Sequence, residues 1–204
     1  MSYMFHFPNL KWTALQAESI GVPILAEKTE GVKEEELADL ERALQEAKAA
    51  FDLNGIYTGA LASVYQKTRV ERICDHLSLK CFSPLWGMEP EAHLRRLVAE
   101  GFEVMVVSVS ALGLDQRWLG RRLDEETIDE LVALGKRFRF HVGLEGGEGE
   151  TFVLDAPFFS KRIDVHASQK HWKGDSGYLE ITNAKLAPKS GARSVASSQG
   201  SEPP

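Results

Sequence analysis

Cysteine is scarce in this chain, which has only Cys74 and Cys81 among 204 residues. Two cysteines support neither a disulfide framework nor a four-ligand zinc site. Long apolar runs are missing too, because the densest one, 104–109, is far shorter than the roughly 20 residues that span a bilayer. The chain does not open on a charged segment followed by an apolar stretch, so no secretion signal is predicted. We therefore expect a cytoplasmic protein without a membrane partner.

An excess of positive charge is also absent. The chain has 24 Lys and Arg against 30 Asp and Glu, a net charge of −6. Bulk charge therefore argues against DNA or other nonspecific nucleic-acid binding. Hydrophobic residues at 43% and charged residues at 26% are ordinary values for a globular protein. The sequence contains no signal of a particular oligomeric state.

What is present in the first half is an alternation of helical and strand patterns. Apolar residues recur with helical spacing around 37–47, 70–77 and 94–98. Short apolar segments that predict strands are Val22–Ala26, Gly55–Gly59, Lys80–Leu85 and Phe102–Val109. This alternation predicts an α/β fold, with a Rossmann-like parallel sheet and helices on both faces.

The pattern changes after Leu123. One more helix is predicted around 128–138, followed by a hairpin whose turn includes Lys173–Gly177. Pro, Ser and Gly dominate from Ala187 onward, which is typical of disorder. We predict a sheet domain at 1–120, a small α+β annex at 121–186 and a disordered tail at 187–204.

Ligands of parallel sheets bind at the carboxyl ends of the strands, which draws attention to 59–66, 84–88 and 108–113. The stretch Gly59–Arg69 places small residues at a strand end and donors at the start of a helix. Ser63, Gln66, Lys67 and Arg69 could meet an anion at the positive end of the helix dipole. The alternative is a plain turn with a basic solvent face.

The most unusual segment is Glu145–Thr151, in which three carboxylates alternate with three glycines. Like charges exclude a phosphate cradle. Close backbone approach with concentrated negative charge instead suits a divalent metal, an ammonium ion or a cationic substrate. The alternative is an exposed acidic turn, although the segment leads directly into the apolar strand pattern of 151–154.

Other candidate motifs have simpler explanations. Gly174–Gly177 matches a serine-protease nucleophile signature, but it suits the hairpin turn better. His166 and His171 are five residues apart, which on a strand places them on opposite faces and makes a shared metal improbable. Cys74 lies on an apolar helical face, where a packed thiol is expected.

Four segments together resemble one family, the diphthine–ammonia ligases of the PP-loop (N-type) ATP pyrophosphatase superfamily. They are Ser2–Asn9, Gly59–Arg69, Pro84–Gly87 and Glu145–Pro157, in this order and at similar separations. The Glu-Gly-Gly-Glu-x-Glu-Thr element is the most specific of them, and the resemblance extends from Ser2 to about Lys185. The fold that it implies is of the HUP type.

The resemblance implies an ATP-dependent amidation of diphthine, a modified histidine of translation elongation factor 2, to diphthamide. ATP would convert the carboxylate to an acyl-adenylate with loss of pyrophosphate, and ammonia would then displace AMP. The implied cofactors are ATP and magnesium, and the implied partners are the elongation factor and ammonia.

Site residues are expected on two walls of one cleft. The ATP wall would hold Gly59, Ala60, Ser63, Gln66 and Arg69. The catalytic wall would hold Glu145, Glu148 and Glu150, with Glu148 as a possible magnesium ligand. A trimethylammonium group is normally recognised by aromatic faces and carboxylates. The expected substrate-binding residues are therefore Tyr3, His6, Trp86 and Trp118, although the two tryptophans could instead pack the domain junction.

One element of the family is missing from the sequence, namely the Ser-Gly-Gly-Lys-Asp-Ser loop that grips the pyrophosphate end of ATP. The leading interpretation is an N-terminally truncated ligase with impaired activity. The alternative is a non-catalytic homologue that binds a nucleotide or an elongation factor without turnover.

Overall fold

The structure, a computed structural model, describes residues 9–29, 32 and 34–189, and it places five helices and six strands in that part of the chain. The helices are α1 (Thr13–Ile20), α2 (Glu36–Phe51), α3 (Val64–Leu77), α4 (Pro90–Ala99) and α5 (Glu125–Phe138). The strands are β1 (Gly55–Tyr57), β2 (Lys80–Phe82), β3 (Glu103–Val109), β4 (Gly149–Asp155), β5 (Arg162–Lys173) and β6 (Ser176–Ala187). Short 3-10 turns cover Leu10–Trp12 and Gln116–Trp118.

Residues 34–87 form one unit, hereafter the βαβ unit. Its strands β1 and β2 pair in parallel, with Gly55 opposite Lys80 and Tyr57 opposite Phe82. A side chain at Gly55 would have its Cβ 2.7 Å from the carbonyl oxygen of Lys80, so glycine permits this close pairing. Helix α3 connects the two strands and packs on β2, while α2 packs on α3.

Strands β3 to β6 form a second, antiparallel sheet in the order β4-β3-β6-β5. The predicted hairpin is present as β5 and β6, joined by a turn at 174–175. Strand β3 lies between β4 and β6, and most of its side chains are buried. The apolar run at 102–109 therefore marks a central strand, but the predicted parallel pairing of this strand is wrong. A central strand covered on both faces has the same apolar pattern in either orientation.

The segment 9–20 lies against this antiparallel sheet, far from its neighbours in sequence. The Asn9 side-chain amide donates to the carbonyl of Leu179 at 2.9 Å, and its oxygen accepts from the N–H of Ile181 at 2.7 Å. Trp12 donates to the carbonyl of Ile181, and Gln16 donates to that of Val153. Residues 9–20 and 89–187 are hereafter the antiparallel unit.

Each unit has its own apolar interior. The main core belongs to the antiparallel unit and is formed by residues such as Leu94, Val106, Trp118, Ile128, Leu154 and Ile181. The βαβ unit buries a smaller, separate set that comprises Ala60, Leu61, Ile73, Cys74 and Leu79. The helices and strands of the two units make few contacts with each other. The loops between these elements therefore provide much of the contact that joins the units.

The four helices predicted around 37–47, 70–77, 94–98 and 128–138 are present as α2, α3, α4 and α5. The strand predicted at Val22–Ala26 is wrong, because these residues have no regular structure and most are exposed. The chain is a mixed α/β protein with a small parallel and a larger antiparallel sheet, and the Rossmann-like arrangement is not confirmed.

At the C-terminal end, Ala187 is the last residue of β6, and the Lys189 ammonium pairs with Asp155 at 2.9 Å. The rest of the predicted tail, from 190 onward, lies outside the described residues. Among the helices of the described ranges, none combines the length and apolar character needed to cross a bilayer.

Candidate functional site

Three loops that follow strands meet at one place, together with the turn 141–148. Gly87, after β2, donates its N–H to the carbonyl of Leu61, after β1, at 2.8 Å. Ser110, after β3, donates its N–H to the carbonyl of Glu148 at 2.7 Å. The segments 59–66, 84–88 and 108–113 thus lie around one site, even though β3 belongs to a different sheet from β1 and β2.

Glu145 connects the two units at this site. Its Oε2 atom accepts the backbone N–H groups of Leu61, Ala62 and Ser63, at 2.9, 2.9 and 3.3 Å. These successive amides form a nest immediately before α3, where the helix dipole also favours negative charge. The anion in the predicted phosphate-binding loop is therefore a carboxylate of the chain itself.

Glu148 has its carboxylate turned to its own loop. It accepts the N–H of Gly146 at 2.6 Å through Oε2 and that of His141 at 3.2 Å through Oε1. Glu150 lies in β4, half-buried and opposite Ser108 of β3. The three carboxylates therefore share one region, and two of them hold backbone amides there.

These carboxylates do not form a ready-made magnesium site as they are placed. Magnesium requires several oxygen ligands in octahedral geometry, with free lone pairs directed at the ion. The bonding oxygens of Glu145 and Glu148 face backbone amides. Within residues 9–29, 32 and 34–189, no group of three or more His, Cys, Asp or Glu side chains is placed to hold a metal.

The residues predicted for the ATP wall do not all face the same way. Gly59 borders open space, and Ser63 caps α3 by accepting the N–H of Gln66 at 3.3 Å. Arg69 is turned elsewhere: its Nε donates to Glu34 at 2.9 Å, and its guanidinium lies 3.5 Å from the ring centroid of Tyr65. Arg69 borders a cleft of about 380 Å³ between α2 and α3, and Glu145 is not among the residues that line this cleft.

The two tryptophans have different environments. Trp118 is 2% exposed within the core of the antiparallel unit, with the Arg121 guanidinium 4.4 Å from its ring centroid. Trp86 is 37% exposed in the loop after β2, with the Lys67 ammonium 5.0 Å from its ring centroid. Trp86 is thus the one of the two that a ligand can reach, while Tyr3 and His6 lie outside the described residues.

Sequence reasoning missed two histidines at this site. The backbone of His141 donates to Glu148, and the Nδ1 atom of its ring is buried without a hydrogen-bond partner in the described part of the chain. His93, on α4, lies within electrostatic range of Glu145. Burial lowers the pKa of His93 below its ordinary value of 6.5, with a contribution from Arg96. No spacing rule connects residues 93, 141 and 145, so this grouping has no signal in the sequence.

The lowered pKa of His93 predicts a loss of stability in mild acid. Below about pH 6.5 the unfolded chain takes up a proton at His93 that the native state resists. The free energy of unfolding therefore decreases as the pH is lowered. We expect urea unfolding to show this decrease between pH 7.5 and 5.5, and the His93→Gln variant to show a smaller one. His166→Gln, at an exposed position on β5, is the control. An equal pH dependence in parent and His93→Gln would contradict the assignment.

Comparison with known proteins adds a family to this geometry. The family model described as "Diphthamide synthase N-terminal domain" matches residues 1–81, and "Diphthamide synthase C-terminal domain" matches residues 89–187. The first match ends within β2 and the second begins just before α4, so the gap at 82–88 lies where the βαβ unit passes into the antiparallel unit.

Individual relatives agree with the family models. The diphthine–ammonia ligase of Schizosaccharomyces pombe is 35% identical over 194 residues, covering 88% of this chain and 32% of that protein. That of Homo sapiens is 34% identical over 180 residues, covering 82% and 67%. That of Danio rerio is 30% identical over 211 residues, covering 95% and 82%.

The chain spans about a third of the Schizosaccharomyces pombe relative and two thirds or more of the two vertebrate ones. Both family models match in order along the chain. The acidic segment Glu145–Thr151, whose sequence resembles that of the family, lies at the junction of the two units. The chain therefore belongs to the diphthine–ammonia ligase family.

Proposed function

We propose that this chain provides the substrate side of an ATP-dependent amide ligase that converts diphthine on translation elongation factor 2 to diphthamide, in the cytoplasm. The observation that carries the proposal is the match to both family models, with the acidic turn and the strand-end loops joined at one site. The reaction forms an acyl-adenylate with release of pyrophosphate, and ammonia then displaces AMP. The name of the relatives specifies diphthine and ammonia as the groups that are joined. A ligase couples such a bond formation to a nucleotide, which supports the use of ATP.

Recognition of diphthine at this site would rest on charge and on an aromatic face. A trimethylammonium group has no proton to donate, so it needs no free hydrogen-bond acceptor. A carboxylate that accepts backbone N–H groups still attracts a cation, and the site contains three carboxylates, those of Glu145, Glu148 and Glu150. Trp86 adds an aromatic ring that is accessible to solvent. No magnesium ligand is part of this proposal, because the carboxylates are not arranged as one.

We also propose that the activity belongs to a longer enzyme that includes a phosphate loop. The sequence has no Ser-Gly-Gly-Lys-Asp-Ser run, and the amide nest at 61–63 holds Glu145. In addition, β1 and β2 form a sheet of two short strands, with stacked aromatic side chains of Tyr57 (77% exposed) and Phe82 (44% exposed). Parallel sheets are normally covered on both faces, so this exposed pair is consistent with a larger sheet.

The test is an amidation assay with diphthine-modified elongation factor 2, ATP and ammonium. We expect no amide product with this chain alone, and activity after fusion to an N-terminal segment that carries a Ser-Gly-Gly-Lys-Asp-Ser loop. In that fusion, Trp86→Leu should raise KM for the elongation factor, whereas Glu46→Ala, at an exposed position on α2, should not. Full turnover by the unfused chain would contradict the need for the loop. A folded fusion that binds the factor without amidation would instead support the non-catalytic alternative.

A further inference from the structure

One side chain, Glu145, bridges the junction between the two units. The βαβ unit and the antiparallel unit have separate apolar interiors, and their helices and strands make few contacts with each other. Across this junction, Glu145 bridges the turn 141–148 to three successive amides of the loop before α3. These three hydrogen bonds connect a loop of one unit with a turn of the other.

The surroundings of Glu145 fix its position from both sides. On the antiparallel side, Ser110 donates its N–H to the carbonyl of Glu148 and its hydroxyl to the carbonyl of Gly147, which ties the turn to the end of β3. On the βαβ side, Leu61 is buried, its carbonyl accepts the N–H of Gly87, and its side chain borders Gly143. The nest and the turn are thus each held within their own unit, and the Glu145 carboxylate joins them.

We propose that Glu145 is a positioning residue, whose carboxylate fills the amide nest at 61–63 and so docks the βαβ unit on the antiparallel unit. In this role it acts through the loop before α3 and does not bind phosphate or metal. Loss of the carboxylate frees three amides, while the contact of the Leu61 side chain with Gly143 remains. The inference concerns the docking of the units, and it holds whether or not the chain amidates diphthine.

Cys74 provides a built-in probe of how firmly the βαβ unit is held closed, which we expect docking to strengthen. Its side chain is 0% exposed, on α3 in the interior of the βαβ unit, and burial together with the neighbouring Cys81 raises the pKa of its thiol to about 12. A thiol reagent therefore reaches Cys74 only when this unit opens. In a Cys81→Ala background Cys74 is the single thiol of the chain.

In that background we expect Glu145→Ala to increase the rate at which N-ethylmaleimide labels Cys74 by about tenfold or more, because three hydrogen bonds to a charged acceptor are lost. Deuterium exchange of the amides 61–63 should increase in parallel, while exchange in β3 should stay unchanged. Glu145→Gln keeps a carbonyl acceptor without the charge, so its labelling rate should be intermediate, and it replaces Glu145→Ala if that variant does not fold. Glu46→Ala removes an exposed carboxylate of the same unit and should leave the rate unchanged.

Two results would overturn the proposal. One is deuterium exchange of the amides 61–63 in Glu145→Ala within about twofold of the parent, which would mean that this loop stays held at the junction without the carboxylate. The other is an equal increase of exchange in β3, which would mean that the substitution destabilises the whole chain.

Discussion

Trp118→Ala is expected to lower the free energy of unfolding by about 3–5 kcal/mol. The side chain is 2% exposed and contacts the core of the antiparallel unit, and the Arg121 guanidinium lies over its ring. Removing the indole leaves a cavity that the surrounding β-sheet residues can close only in part. Because domains are stable by about 5–15 kcal/mol in total, such a loss is a large fraction of the stability.

Urea unfolding followed by circular dichroism measures this effect, with Trp118→Leu as a milder variant in case the alanine variant does not fold. Trp86→Ala is the matched control, since Trp86 is 37% exposed and its loss should change the stability by less than about 1 kcal/mol. Equal stability losses at the two positions would contradict the burial of Trp118. The comparison also separates the two tryptophans as candidates for binding diphthine, because only Trp86 is accessible.

Gly149→Ala is expected to destabilise the chain by about 1–3 kcal/mol. A Cβ at this position would lie 2.5 Å from the carbonyl oxygen of Ser108, which is a backbone atom of β3. Strand β3 is central in its sheet and cannot move away without disturbing its pairing with β6. The strain would fall next to Glu148, whose carbonyl holds Ser110 and Ala111.

The matched control is Gly59→Ala, because nothing lies within 4 Å of a Cβ there. An alanine that fits the native backbone is neutral or stabilising by about 0.4–1 kcal/mol, through the lower entropy of the unfolded chain. Thermal or urea unfolding of both variants checks the pair. A loss of stability at Gly59 as large as that at Gly149 would contradict the close approach of β3 and β4.

The acidic turn illustrates how far sequence reasoning extends toward the site. The glycines and carboxylates of 145–150 identify a place of close backbone approach and negative charge, and both features are present in the structure. The partners of Glu145 lie 82 to 84 residues earlier in the chain. Spacing along the chain carries no information about such a contact, so a carboxylate that holds amides could not be told from one that meets a ligand.

Local sequence determined helices α2 to α5, the βαβ unit and the β5–β6 hairpin, because helical periodicity, caps and turn residues act over a few positions, whereas α1 was not predicted. Tertiary structure alone decided that β3 joins an antiparallel sheet, that Trp118 is buried and that Arg69 bonds to Glu34. Strand orientation, burial and ion pairing depend on which distant segments meet. An apolar run, a tryptophan or an arginine has the same sequence signature in either environment, and only the folded chain distinguishes the two.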